Sequence, residues 1–278
     1  MGYHRPQTLT EALDLAAKGR MRVLAGGTDL FPAAKAPALD GEVLDLTGLK
    51  ALRGISETDT GWRIGAMATW AEIAQAALPP AFDGLRAAAR QVGAVQIQNR
   101  ATIGGNLCNA SPAADGVPPL LTLEAEVELA TCNGSRQMPI GEFLQGVRKT
   151  ALQPGEIMVA IHVPKSATQG RAGFAKLGAR KYLVISIAMV AMRLEISDGI
   201  IRHAAVAVGA CSPVARRLRG FEQALEGARA DESDRWQQAL ADDISRRLSP
   251  IDDIRADATY RREAVQTLVS RLLQEVAR

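Results

Sequence analysis

The chain has 278 residues, 47% hydrophobic and 23% charged, which is enough to bury a substantial core and to form two domains of ordinary size. A net charge of +3 and only 4% aromatic residues argue against nucleic-acid binding, because the arginines at Arg216, Arg217, Arg219, Arg246, Arg247, Arg261 and Arg262 are interleaved with acidic residues and read as solvated helical surface. The longest apolar stretches, such as Leu183 to Met192, fall short of the roughly 20 residues that span a bilayer, and no basic, apolar and small-residue signal opens the chain, so no membrane insertion and a cytoplasmic location are expected.

Thr8 with Glu11 forms a capping box ahead of Leu9, Ala12, Leu13 and Ala16, and Gly19 sits where such a helix would stop. Met21 to Ala25 reads as a buried strand, Gly26-Gly27 as a turn, and Thr28-Asp29 as the cap of a following helical stretch. Ala51 to Glu57 and Gly61 to Ala66 are β-like runs around a turn at Asp59 to Gly61. Thr69 and Glu72 make a second capping box for a helix from Trp70 to Ala77, which Pro79-Pro80 breaks. Ala81 to Val92 resumes a helical pattern that Gly93 ends.

Val127 to Ala130 alternates as a strand, Asn133-Gly134 supplies a hairpin turn, and Glu156 to Val163 is a strand closed by Pro164. The polar stretch Lys165 to Gly170 is a boundary, dividing the chain into residues 1–168 and 169–278. Phe174 to Gly178, Val184 to Ile196 and Ile200 to Ala210 read as three antiparallel strands, the last two joined through Asp198-Gly199. Three helical patterns follow, the last with an apolar stripe of Ala264, Val265, Leu268, Val269, Leu272 and Val276.

Cys108, Cys132 and Cys211 stand alone, without metal-ligand spacing, so neither a bound metal nor a disulfide framework is expected. His4, His162 and His203 read as structural or surface residues, and no proton-transfer triad is expected.

Two glycine turns carry the chemistry. Ala25-Gly26-Gly27-Thr28-Asp29 lies between a strand and a helix start, where glycine permits a sharp bend and successive N–H groups are exposed. The second lies in the run Asn99 to Asp115, where Gly104 and Gly105 permit close approach of a ligand and Thr102, Asn106, Asn109, Ser111 and Asp115 offer polar side chains. Paired glycines are common in purely structural turns, so either turn alone leaves a packing role open. Two of them, converging, would hold a diphosphate on backbone donors without Lys or Arg. Neither turn matches G-x-G-x-x-G or the NTPase phosphate loop, which disfavours an ordinary Rossmann site.

The AGGTD turn at Ala25 to Asp29 and the string NRATIGGNLCNASPAAD at Asn99 to Asp115 resemble the FAD-binding subunits of molybdenum hydroxylases, the family of xanthine dehydrogenase and carbon monoxide dehydrogenase. The resemblance extends through KLGAR at Lys176 to Arg180 and ATYRREAVQTLVSRLL near the C-terminus, and so covers essentially the whole chain. It implies an α+β fold: a two-lobed α/β FAD-binding domain like that of vanillyl-alcohol oxidase, then a domain of three antiparallel strands and a helical bundle. It further implies non-covalent FAD, with Ala25, Gly26, Gly27, Thr28, Asp29, Thr102, Gly104, Gly105, Asn106 and Asn109 around the pyrophosphate, Asp115 at the adenosine end, and Met158 and Lys176 near the flavin or its tail.

The implied function is electron relay from iron–sulfur clusters through FAD to an external acceptor. The molybdenum cofactor and the clusters would reside in partners, a large molybdopterin-binding subunit and a small iron–sulfur subunit, assembled as a dimer of heterotrimers. A stand-alone flavin oxidase of the same fold, a cofactor-loading protein and a non-enzymatic interaction module remain as alternatives. The cluster-binding insertion with several cysteines found in relatives that reduce aromatic CoA thioesters is missing here.

Overall fold

A computed structural model describes residues 2–34, 39–181, 183–230 and 236–278. Strand β1 (Gly2–His4), helix α1 (Leu9–Ala17), β2 (Arg22–Leu24) and β3 (Glu42–Asp45) make the first lobe, in which β3 pairs in parallel with β1 on one side and β2 on the other. The Thr8–Glu11 capping box forms as its spacing predicts and fixes the start of α1. Ala12 and Leu13 of that helix pack with Leu44, Leu46 and Leu49 in a cluster that continues through Met67, Ala130, Ile157 and Val159 from later in the chain.

The second lobe holds β4 (Ile55–Thr58), β5 (Gly61–Gly65), α2 (Trp70–Gln75), α3 (Asp83–Ala89), α4 (Val95–Gln98), α5 (Ile103–Asn109), α6 (Val117–Thr122), β6 (Glu126–Thr131), β7 (Gly134–Pro139), α7 (Ile140–Phe143), a small ribbon β8 (Leu144–Gly146) with β9 (Lys149–Thr150), and β10 (Ile157–Pro164). Its antiparallel sheet runs β4-β5-β10-β6-β7, with β10 central, so that Ile161 stands opposite Ile64 on one neighbour and Val127 on the other. Trp70, Phe82, Leu85, Ile103, Leu107 and Phe143, all fully buried, fill the space between sheet and helices.

The C-terminal part is a sheet of β11 (Arg171–Leu177), β12 (Ala188–Ser197), β13 (Ile200–Gly209) and the two-residue β14 (Arg216–Arg217), covered by α8 (Arg219–Leu225), α9 (Gln237–Arg247) and α10 (Ala258–Val276). Asp198 and Gly199 both adopt positive φ, 54° and 74°, which suits the tight hairpin expected between β12 and β13. The apolar stripe of α10 is core: Val265, Val269, Leu272 and Val276 are buried with Val190, Met192 and Val206 of the sheet. The sheet docks on the second lobe, where the buried Arg193 donates to the Thr122 carbonyl at 3.0 Å and Arg217 donates to that of Leu121 at 3.0 Å. Among the described residues, no helix is long and apolar enough to cross a membrane.

The fold class is as expected, and the departures are local. The run at Ala51 to Glu57 begins as a 3-10 turn, Lys50–Leu52, because the Leu52 carbonyl is drawn away to accept from Met67 N–H at 2.8 Å. Thr28-Asp29 opens helical turns, with Phe31 N–H bonded to the Gly27 carbonyl and Ala33 N–H to that of Asp29, rather than a regular helix. The three-stranded C-terminal sheet gains β14, anchored by pairing of Arg216 and Arg217 with Val208 and Ala207. The glycine pair Gly104-Gly105, expected as a turn, lies within the first turn of α5.

Candidate functional site

The two Gly-Gly turns come together. A Cβ placed on Gly26 would lie 2.2 Å from the Arg100 carbonyl oxygen and 2.8 Å from Ala101 Cα, and one placed on Gly105 would lie 3.8 Å from Ala25 Cβ. Around them opens a cleft of about 490 Å³, within the roughly 300–1,000 Å³ typical of cofactor and ligand sites. Ala25, Gly26, Gly27, Thr28 and Asp29 line it from one turn, and Thr102, Gly104, Gly105, Asn106 and Asn109 from the other. Met158 lines it from β10, at a β-bulge between Met158 and Ala160 that re-aims the strand.

The first turn is built by the end of β2. Leu24 is the last residue paired with β3, and Gly27 at φ +76° then reverses the chain in a conformation that disfavours any other residue. Among the described residues, no acceptor is engaged by the N–H groups of Gly26, Gly27, Thr28, Asp29 and Leu30. This turn is therefore a row of unused donors.

The second turn differs. Thr102 caps α5 by accepting from Gly105 N–H at 3.1 Å, while Ile103 and Gly104 donate to the Ala68 and Ala66 carbonyls at 3.0 and 2.9 Å and Asn106 N–H reaches the Thr102 carbonyl at 3.0 Å. Its backbone amides are engaged by the protein itself, so what it offers a ligand is side chains and space. Asn106 Oδ1 is buried without a partner among the described residues. The sequence reading treated the two turns as equivalent backbone cradles; only the first has amides to spare.

The glycines divide likewise. Gly104 cannot carry a side chain, because its Cβ would meet the Ala66 carbonyl oxygen at 2.7 Å, and Gly26 is constrained by the Arg100 backbone. Gly105 is the open one: its Cβ would meet nothing nearer than Thr102 Oγ1 at 3.0 Å.

Asp115 and Lys176 are not among the lining residues. The Lys176 ammonium lies 2.6 Å from one Asp115 carboxylate oxygen and Ser186 donates to the other at 2.7 Å. Burial pushes the Asp115 carboxyl up, while Lys176 and Ser186 pull against that shift.

Several cleft residues were not legible in the sequence. Trp70 is fully buried behind the second turn, and Leu46, Met67, Leu152 and Ile157 complete an apolar wall. Glu156, buried at the rim, accepts from Arg136 Nε at 2.6 Å and Nη2 at 2.9 Å and from Gln153 N–H at 2.7 Å. That Arg136 guanidinium holds its carboxyl below the usual range. The only sequence signal for Glu156 was a charge opening an otherwise apolar strand. The Cys108 thiol is accessible from the cleft yet ringed by protein, which pushes it up to about 12. His4, His162 and His203 lie outside the cleft lining and face Glu42, Glu128 and Glu226 at 2.7, 2.7 and 3.0 Å. No group of three or more metal-ligating side chains occurs among the described residues.

Residues 1–166 match the FAD binding domain in molybdopterin dehydrogenase, and residues 174–276 match the CO dehydrogenase flavoprotein C-terminal domain. The xanthine dehydrogenase FAD-binding subunit of Escherichia coli O157:H7 is 30% identical over 98% of this chain and 94% of its own length. The carbon monoxide dehydrogenase medium chain of Hydrogenophaga pseudoflava is 31% identical, covering 98% of this chain and 95% of that one. A solved chain of carbon monoxide dehydrogenase from Hydrogenophaga pseudoflava, in a form lacking the Mo-pyranopterin moiety, superimposes with a TM-score of 0.90 at 29% identity, over 99% of this chain and 96% of that one.

Proposed function

Since the chain belongs to the family of FAD-binding subunits of molybdopterin dehydrogenases, we propose that it holds FAD non-covalently between its two glycine turns and relays electrons from a partner's iron–sulfur clusters to an external acceptor. The observation that carries this reading is the pairing of unused amides at Gly26 to Leu30 with the unpartnered Asn106 side chain across one cleft. Among the described residues no Lys or Arg lines that cleft, so the donors they offer a diphosphate there are backbone and side-chain amides. The residues present fit the group.

In this reading Ala25 to Asp29, Thr102, Gly104, Gly105, Asn106 and Asn109 surround the diphosphate, and Met158 with Leu46, Met67 and Ile157 gives the rings an apolar wall. Asp115 and Lys176 remain in the proposed set as an ion pair set behind the lining. Bound FAD supplies the capacity to take up electrons singly and release them in pairs. The chain's own part is to bind, to orient and to exclude water. No catalytic side chain is assigned.

The chain is one subunit of a multi-subunit molybdenum-containing oxidoreductase, as its relatives named medium chain or FAD-binding subunit are. Its partners, in this proposal, are a large molybdopterin-binding subunit and a small iron–sulfur subunit, joined as a dimer of heterotrimers in the cytoplasm. We place the boundary between its own two domains after residue 168, supported by the polar Lys165–Thr168 turn between β10 and β11. Purification from the source under native conditions tests the whole reading. The expected result is co-purification with an iron–sulfur chain and a molybdopterin chain, flavin absorbance near about 450 nm, and release of yellow FAD into the supernatant on acid precipitation. Colour retained in the pellet indicates a covalent flavin oxidase. A colourless protein that stays colourless with added FAD overturns the assignment.

A further inference from the structure

Two buried polar atoms beside the cleft lack partners among the described residues: the indole Nε1–H of Trp70 and the side-chain Oδ1 of Asn106. One is a donor and the other an acceptor. They belong to one neighbourhood, because a Cβ built on Gly116 would lie 3.0 Å from Trp70 Cζ2, on the Nε1 edge of the indole, and 3.3 Å from Asn106 Oδ1. The same Cβ would lie 2.3 Å from Trp70 Cη2, so glycine at 116 is what leaves room for the indole.

The backbone holds the two residues side by side. Thr69 and Thr102, which cap the helices carrying Trp70 and Asn106, form a β-bridge, and Trp70 N–H donates to the Ala101 carbonyl at 3.2 Å. An unmade hydrogen bond at either atom costs stability, and a single contact between them satisfies both.

We propose that Trp70 is a positioning residue for the bound dinucleotide: with the cleft filled, its indole N–H donates to Asn106 Oδ1, which turns the Asn106 NH2 toward the diphosphate. An amide held by its oxygen from behind has only its N–H donors left to present. The opposite orientation would set a carbonyl oxygen against an anion. This rests on the FAD reading above and adds to it a residue that acts through Asn106, deciding the polarity that one ligand-facing group presents.

The test is a double-mutant cycle on FAD affinity, using the full chain stripped of flavin, with Trp70→Phe, Asn106→Ala and the pair together. Trp70→Phe should weaken FAD binding about tenfold, the scale of one lost hydrogen bond, and should weaken it no further once Asn106 is alanine. The Trp70 indole N–H resonance of the unaltered chain should also move downfield and exchange more slowly with water when FAD is added. Should Trp70→Phe fold poorly, Trp62→Phe and Trp236→Phe assign that resonance by elimination, leaving the same readout. Losses that simply add, or an indole signal unmoved while FAD binds, overturn the role of Trp70 and leave the FAD site standing. Failure of the unaltered chain to bind FAD at all sinks both.

Discussion

The ammonium of Lys176, on β11, lies 2.6 Å from the carboxylate of Asp115, on the loop between α5 and α6, and both side chains are more than nine-tenths buried. With Ser186 donating to the second oxygen and the Gln91 carbonyl near Lys176, the pair ties the C-terminal sheet to the lobe that carries the second glycine turn. Removing one partner leaves a buried charge uncompensated, whereas replacing both by apolar groups removes the desolvation penalty with the attraction. Lys176→Met alone should therefore destabilise the chain by about 3 kcal/mol, and Lys176→Met with Asp115→Leu by clearly less. Urea titration of the parent and the two variants checks this; a double variant as unstable as Lys176→Met alone, or more so, would contradict it.

Gly104 and Gly105 are adjacent in sequence but should respond oppositely to substitution. Gly104→Val meets the Ala66 backbone and should cost several kcal/mol of stability, of the order of core overpacking at about 1–3 kcal/mol or beyond. Gly105→Val crowds only the Thr102 hydroxyl, at 3.0 Å, and should lower the melting temperature less than Gly104→Val while lowering FAD retention at least about tenfold, roughly 1.4 kcal/mol or more. Flavin content and thermal melting on the same samples separate the two.

Glu156 and Arg136 brace the wall from which Met158 and Ile157 line the cleft. Arg136→Met removes a bidentate partner and leaves the Glu156 carboxylate to Gln153 N–H alone. Since Arg136 is more than a third exposed, the loss should be modest, about 1 kcal/mol in stability, with a comparable loss in FAD affinity. Equal FAD affinity in variant and parent would show that the brace does not reach the site.

Acid stability should carry a signature from Asp253. Its carboxyl is held down at about 2, chiefly by the Arg255 backbone N–H, with the Arg255 and Arg261 side chains adding to it. The unfolded value is about 3.9, so the folded state binds this proton less readily. Its contribution is complete above about pH 4 and is lost as pH falls toward about 2. Asp253→Asn should therefore lower stability at neutral pH and flatten the pH dependence between those limits, as read from denaturation midpoints at pH 2, 3, 4 and 7. A slope unchanged in the variant would remove Asp253 from the acid response.

Much of this protein is written in short-range patterns. The capping boxes Thr8–Glu11 and Thr69–Glu72, the Asp198-Gly199 hairpin and the α10 stripe each depend on residues within a turn or two of one another, where spacing alone decides hydrogen bonding and face. The two glycine turns were visible as well, together with the family they resemble. What spacing does not encode is which distant groups become neighbours. That Gly26 abuts Arg100, that the amides of the second turn are engaged by Ala66, Ala68 and Thr102, that Asp115 is answered by Lys176, and that an indole sits beside Asn106 are all outcomes of packing between segments remote along the chain. A backbone amide is free or engaged only relative to its surroundings, and those surroundings exist only once the lobes have closed on each other.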